Sequence, residues 1–399
     1  MVSRSPQRAK PEYDVVVAGG GPAGMASAIA AAIHGMRVVV CERRTFPVDK
    51  ACGEGLMPPA VRALQTLGVR DLVGSDACRR IAGVRLLEVD GPTVEAPLPA
   101  PGALGVRRLV LSGALERRAR SLGVEIRENC AVTGCEIHDD RAIARTMDGR
   151  EIGASVIVAA DGLHSRLRAM VSPRLPARPP RRFGTRQHFR ISPWSEFVEV
   201  YLADRMEAYV TPVASDEVGI AILWRGGPQA APSLPEALDR FPALASRIRG
   251  AQPASQPRGA GPMLQRVGAL VSDRIALAGD AAGYIDAITG EGLSLALAAG
   301  ISIGRILPHA VAEGGVRSLL AYQREVRRRF RHYALSTRIV MAAARLRPIR
   351  RGSIAMLSAA PRVFQWMLDW TFADTREYPQ TSAAAIPSYR QARDSMSSR

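Results

Sequence analysis

The chain has 399 residues, enough at roughly 150 residues per domain for two or three packed units, or for one large domain with an insertion. Apolar residues make up 47% and charged residues 23%, ordinary globular usage that excludes wholesale disorder, collagen and a disulfide mini-protein. The net charge is +17, and only Lys10 and Lys50 among the 54 basic residues are lysines, a bias that reflects a GC-rich coding sequence more than a function.

Residues 1–11 read as a loose basic arm. The run Val15 to Ile33 carries no charge, and behind that arm it has the outline of a signal peptide or a membrane span. Gly19, Gly20, Gly21, Pro22 and Gly24 inside it, with Asp14 just before it, fit a different pattern better: strand YDVVVAGGG, helix PAGMASAIAAAIHG, strand MRVVVCER. Residues 106–123 place Leu109, Leu115, Ala119 and Leu122 near helical spacing, and the VEI and ASVIVAADG runs that follow read as strands, which is material for a parallel sheet. From 184 to 224 the texture changes to FRI, EFVEVYL, EAYVTPV and EVGIAILW, successive alternating segments of an antiparallel sheet. Residues 275–312 return to strand, turn and helix, the remainder is mostly helical, and 379–399 reads as a loose tail. Cys41, Cys52, Cys78, Cys130 and Cys135 form no CxxC pair and no ligand spacing, so no metal site is expected and a reducing cytoplasm is the simplest compartment.

Gly19, Gly21 and Gly24 form GxGxxG directly between a strand and a helix. Each glycine has a mechanical task there: a tight turn, close approach of backbone to a pyrophosphate, and close packing of helix on strand. Ala23 sits in the helix start, whose free amides and positive dipole end face the phosphates. Glu42, 18 positions after the last glycine and followed by Arg43, stands where an acid binds ribose hydroxyls; it disfavours a 2′-phosphate, so NADP is not expected at this site. This much does not choose between FAD and NAD.

Two further motifs carry a resemblance. ADGLHSRLR, with Asp161, Gly162, Ser165 and Arg168, resembles the DGxxSxxR motif of the para-hydroxybenzoate hydroxylase superfamily, and RIALAGDAAG, with Gly279 and Asp280, resembles its GD motif. The resemblance implies FAD at the glycine turn, Asp280 on the flavin's ribityl chain, Arg108 contacting FAD, and Val132 on the short strand whose backbone touches the adenine. The segments FPVDKACGEGLMPPAV and GDAAGYIDAITGEGLSLAL resemble the branch that holds geranylgeranyl reductases and the flavoproteins of cysteine tryptophylquinone biogenesis. Ala287 stands where many members have proline, and no WxWxIP motif is present, which argues against halogenation. The amides of Gly290, Gly292 and Leu293 are expected at the anionic edge of reduced flavin. Cys52 and Glu54 lie in the segment that, by the resemblance, approaches the ring, as catalytic candidates beside the packing reading that suits a free cysteine. Lys50 reads as a solvated or phosphate-facing charge, and His188 as an isolated polar residue of the substrate sheet.

The expected fold is α/β: a Rossmann-like FAD-binding domain (12–85, 104–172, 266–312), an inserted antiparallel β-sheet substrate domain (86–103, 173–265) and a basic helical C-terminal region (313–378). The expected function is a FAD-dependent monooxygenase, driven by NADH or NADPH, that passes oxygen from a flavin hydroperoxide to an aromatic or alkene-bearing small molecule or peptide side chain. A prenyl-type C=C reductase is the alternative, and a flavoprotein maturation partner of another protein a further one. Residues 317–351 hold eleven arginines and one acid, Glu325, so this stretch contributes +10 of the net +17. Interleaved with apolar residues, it suits an anionic membrane surface, at the inner membrane, or a lipid-like substrate entrance, or else a solvated helix face. No nucleic-acid motif accompanies the charge.

Overall fold

The computed structural model describes residues 11–172, 182–227, 232–313 and 316–372, Val316 by its backbone only; the arm before Pro11, the opening of the 173–265 segment and the tail lie outside them. The run of buried valines in Tyr13–Ala18 forms the centre of the first sheet. It pairs in parallel with Val38–Cys41 on one side and Glu151–Ala159 on the other, and these pair in parallel with Glu125–Arg127 and Ile275–Leu277. Continuous apolar strands of this kind demand cover on both faces. Helices Pro22–Ile33, Arg108–Ser121 and Gly292–Ala312 cover one face, and the antiparallel strands Val132–Ile137 and Ala142–Thr146 help to enclose the other.

Helix Gly292–Ala312 is long and apolar enough to cross a membrane, but it is mostly buried. Its partner is Pro22–Ile33, and small residues set the spacing: a Cβ on Gly300 would lie 2.5 Å from Ala26 Cβ, and one on Gly304 2.4 Å from Ala30 Cβ.

The second sheet runs in the order Gln252–Pro253, Arg182–Arg190, Glu217–Arg225, Met206–Ala214, Phe197–Ala203, Gly83–Glu88, Thr93–Pro97, with Arg258–Ala260 also against Arg182–Arg190. All its pairs are antiparallel except Phe197–Ala203 with Gly83–Glu88. Gly55–Leu56, Ala103–Val106 and Cys78–Ile81 form a three-stranded sheet that packs against Met206–Ala214. Phe241 and Leu244 of the short helical segment 234–247 close one part of the second sheet against Tyr201, Ile222 and Trp224. Helices Arg347–Ala359 and Pro361–Phe372 close another by burying Ile354, Leu357, Phe364 and Leu368 on Val94, Val198 and Val200. Arg350 anchors this packing with a bidentate pair to Glu88 and a 3.0 Å contact with Asp204. The long helix Val316–Arg345 packs along Gly292–Ala312 and ends where Leu346 turns extended ahead of Pro348.

Candidate functional site

The glycine turn is fixed by close contact. Gly19 has φ +107°, and a Cβ there would stand 2.5 Å from Ala160 O; on Gly24 it would stand 1.9 Å from Gly19 O. At Gly21, the N-cap of the helix, a Cβ would meet nothing within 4 Å, so the turn is open on the side where a ligand can approach the backbone. Glu42 Oε2 accepts from Gly20 N at 2.7 Å and Oε1 from Arg44 N at 3.1 Å, which braces the turn while leaving lone pairs for further donors. Cys130 N donates to Glu42 O at 2.8 Å, placing the strand that starts at Val132 two residues from this corner. Arg43 is exposed.

The DGxxSxxR segment is largely a clamp. Arg168 donates to the carbonyls of Leu163 (3.1 Å), Asp280 (2.9 Å) and Ala281 (2.9 Å) and to Gln265 Oε1 (2.7 Å), stitching the DG loop to the GD loop. Ser165 Oγ accepts from Arg168 N at 2.9 Å, and Asp161 Oδ2 from Arg166 N at 2.8 Å. Asp161 Oδ1 is buried without a hydrogen-bond partner among the described residues, a state that costs free energy unless a ligand supplies a donor.

A cavity of about 230 Å³ lies between the two sheets, and it gathers Gly21, Ala23, Cys52, Glu54, Arg108, Gly162, Gly279, Asp280, Gly290, Gly292 and Leu293 onto one wall system. Gly19, Gly24, Glu42, Arg43, Val132 and Asp161 do not line it. Gly162 (φ +84°) and Gly279 (φ +62°) hold conformations that other residues seldom adopt. Of the three amides expected at the ring edge, that of Gly290 donates to Ala287 O at 3.0 Å, so the turn has already taken it. Gly292 and Leu293 open helix Gly292–Ala312, and amides of a first turn have no acceptor within their helix. Lys50 is not a solvated charge: it lines the cavity beside Gly162, burial pushes its ammonium below the usual range, and the Asp280 carboxylate opposes that shift.

Sequence reasoning missed most of the buried polar network behind this wall. Glu54 sits at φ +60° and is almost fully buried; its Oε1 accepts from Arg108 N at 2.7 Å and its Oε2 lies 2.5 Å from His188 Nε2. His188 Nδ1 faces Arg186 Nη1 at 3.2 Å and Ser255 Oγ at 2.8 Å. A guanidinium only donates, so Nδ1 is the acceptor and Nε2 carries the ring proton towards Glu54. Arg186 is held by Asp49 Oδ1 at 2.5 Å; burial works to raise the Asp49 carboxyl, but Arg186 and Arg258 hold it below its usual range. Beside it Arg182 pairs with both Glu207 and, at 2.8 Å, Asp286. Burial pushes the Asp286 carboxyl up to about 6 against the pull of Arg182. The one available signal was strand Arg182–Arg190, where Arg182, Arg186 and His188 alternate with Phe183 and Phe189 and so share a face.

Burial also pushes up the Cys52 thiol, which therefore keeps its proton at neutral pH; its Sγ accepts from Glu54 N at 3.3 Å. The wall along the second sheet is mixed: Val198, Ala221 and Leu223, with Met57 and Met263, are apolar, while Thr185, Tyr209 and Thr211 bring hydroxyls, that of Thr211 donating to Gly53 O at 2.8 Å. The open glycine turn, the unpartnered Asp161 oxygen and the free first-turn amides fit a dinucleotide that runs from Glu42 into the cavity.

Comparisons with known proteins agree with this geometry. The chain is 29% identical over 332 residues to digeranylgeranylglycerophospholipid reductase 1 of Methanothermobacter thermautotrophicus, covering 78% of this chain and 82% of that protein. It is 28% identical over 177 residues to rifampicin monooxygenase of Streptomyces venezuelae, 42% of this chain but only 36% of that protein. Among solved structures the flavin-dependent brominase Bmp2 shares the fold, with a TM-score of 0.77 at 20% identity over 97% of this chain and 99% of the other. A family model described as FAD binding domain matches residues 12–336, so the chain belongs to the FAD-binding family of para-hydroxybenzoate hydroxylase type and is a flavin-dependent oxidoreductase.

Proposed function

We propose that this oxidoreductase saturates a carbon–carbon double bond in a lipophilic, prenyl-type substrate, with reduced nicotinamide as electron donor. The observation that carries the reading is the cavity wall: Val198, Ala221 and Leu223 of the second sheet, with Met57 and Met263, give it an apolar stretch, the hydroxyls of Thr211 and Tyr209 beside it are engaged by Gly53 O and Glu207, and Cys52, Glu54 and Arg186 stand at one corner. An isolated alkene offers nothing to hydrogen-bond, so an apolar wall suits it, and its reduction requires one proton delivered beside one hydride. FAD, when bound, supplies the hydride. The amides of the helix that begins at Pro22 would hold its diphosphate, Glu42 its ribose, Asp280 its ribityl chain, and Gly292 and Leu293 the anionic edge of its ring. Cys52 holds a proton, and Glu54 is the carboxylate that receives one from the imidazole and passes it on. Glu54 refills through the imidazole: Ser255, half-exposed, passes its proton to Nδ1 and takes another from solvent, while the Nε2 proton moves to the carboxylate. Arg186 keeps the ring in the tautomer that permits this transfer.

The likeness to digeranylgeranylglycerophospholipid reductase 1, over 78% of this chain and 82% of that protein, supports this reading. A second reading, oxygen transfer to a ring or alkene, has the partial likeness to rifampicin monooxygenase in its favour. One experiment separates them: holoenzyme, reduced anaerobically, is mixed with a geranylgeranyl-chain lipid and the product is weighed by mass spectrometry. Gain of two hydrogens without oxygen supports the reductase. A product heavier by one oxygen, formed only in air, replaces it with the monooxygenase.

A further inference from the structure

Helix Val316–Arg345 is two-sided. At about 100° per residue, all its exposed positions fall in a single stripe about 120° wide. Seven arginines occupy that stripe, from Arg317 to Arg345, and none has an acidic partner among the described residues. Glu325, the helix's one acid, is turned inward and paired with Arg305 and Arg329. Between the arginines stand Leu335 and Ile339, about half exposed, and the chain continues through Leu346, Ile349 and Trp366, the last 64% exposed. Eight of the eleven exposed large apolar side chains among the described residues lie between 316 and 372. The helices that carry them form one layer: His332 Nε2 meets Trp370 O at 3.2 Å, with the two rings 4.4 Å apart.

We infer that this layer docks on an anionic lipid bilayer. Charge alone would equally attract a nucleic acid, but exposed leucine, isoleucine and tryptophan gain nothing on a phosphate backbone. A bilayer accepts both: the rings and aliphatic chains enter the headgroup region while the arginines meet lipid phosphates, each basic residue adding to the attraction. The inner face of the same helix grips the segment bordering the cavity. Tyr333 Oη accepts from Asp286 N at 3.0 Å and donates to Asp286 O at 2.6 Å, and Thr337 Oγ1 meets Thr289 Oγ1 at 3.3 Å. The docked surface is thus one helix diameter from the loop at the cavity, a fitting place to receive a lipophilic substrate. That last link rests on the reductase reading; the docking does not.

The test is co-sedimentation of the purified holoenzyme with vesicles of phosphatidylcholine alone or with one-third phosphatidylglycerol. Binding is expected only with phosphatidylglycerol, weakening as salt rises, with a blue shift of tryptophan emission that Trp366→Phe abolishes while binding persists. Reversing two stripe charges in Arg331→Glu/Arg338→Glu is expected to weaken binding at least tenfold with flavin content and circular dichroism unchanged. Leu335→Ser/Ile339→Ser, which keeps every charge, is expected to weaken it as well. No binding to the anionic vesicles, binding indifferent to both double variants, or displacement of the vesicles by duplex DNA would overturn the inference. Vesicle binding is read without any substrate, so a protein that binds but reduces no alkene refutes the proposed reaction and leaves the docking standing.

Discussion

Asp286 gives the sharpest test of the buried electrostatics. It shares Arg182 with Glu207 at a site where its side chain is 1% exposed, and burial pushes its carboxyl to about 6 from an ordinary 3.8. A carboxyl raised on folding contributes stability that is fully present below the unfolded value and is lost as pH rises through the folded one. The window is therefore about pH 4 to 6, and 2.2 units at roughly 1.4 kcal/mol each make a loss of about 3 kcal/mol. Asp286→Asn cannot titrate. Urea unfolding of the wild type and the variant at pH 4, 5, 6 and 7 should show the wild type losing about 3 kcal/mol relative to the variant across that range. Glu207, Tyr209 and Arg225 remain in both proteins, so their titration largely cancels. Parallel curves, or a wild type that gains on the variant as pH rises, would mean that the Arg182 pair outweighs burial and that Asp286 is already ionised at pH 4; either result refutes the reasoning.

Other substitutions probe the cofactor turn, the loop clamp and the proton path. Gly24→Ala forces a Cβ to 1.9 Å from Gly19 O, so the variant should purify without flavin absorbance and lose about 2 kcal/mol or more. Arg168→Ala removes donors to four loop carbonyls and to Gln265; a loss of about 3 kcal/mol and a much weaker flavin affinity by fluorescence titration are expected. Glu54→Gln keeps the shape of the corner but cannot receive and pass on a proton. Turnover should fall about 100-fold while bound flavin stays near stoichiometric, and Ser255→Ala should fall less and recover with a small added acid.

What the sequence discloses follows the range of the interactions. Strand, glycine turn and helix are local, and the contacts that demand glycine at positions 19 and 24 lie within or beside one βαβ unit, so the turn was legible from spacing alone. The alternation of 184–224 likewise appears as Arg182–Arg190, Phe197–Ala203, Met206–Ala214 and Glu217–Arg225. Backbone roles were less legible: nothing in the TGEG letters discloses that the Gly290 amide closes on Ala287 O, or that Arg168 joins carbonyls 112 residues away. The Glu54–His188 pair spans 134 residues and two sheets. Each partner alone looks like an ordinary polar residue, and only the register of Arg182–Arg190 against Glu217–Arg225 turns His188 inward.

The eleven arginines of 317–351 make the same point about charge. Read as letters they are equivalent, yet Arg350 is buried and bound to Glu88, Arg329 turns inward to Glu325, and the other nine are exposed. A buried arginine with a bidentate partner fixes a helix to a sheet; an exposed one without a counter-ion attracts a surface. Helical period separates the two sets in the long helix, since 329 falls outside the stripe that holds 317 to 345, while Arg350 lies beyond the break at Leu346, where period no longer carries over. The net +17 is therefore divided between holding the C-terminal helices on the second sheet and making their outer face cationic. Reversing Arg350 should unfold that layer from its sheet, whereas reversing Arg338 should leave the fold intact and act only on what the face binds, a contrast that limited proteolysis of the two single variants would read directly.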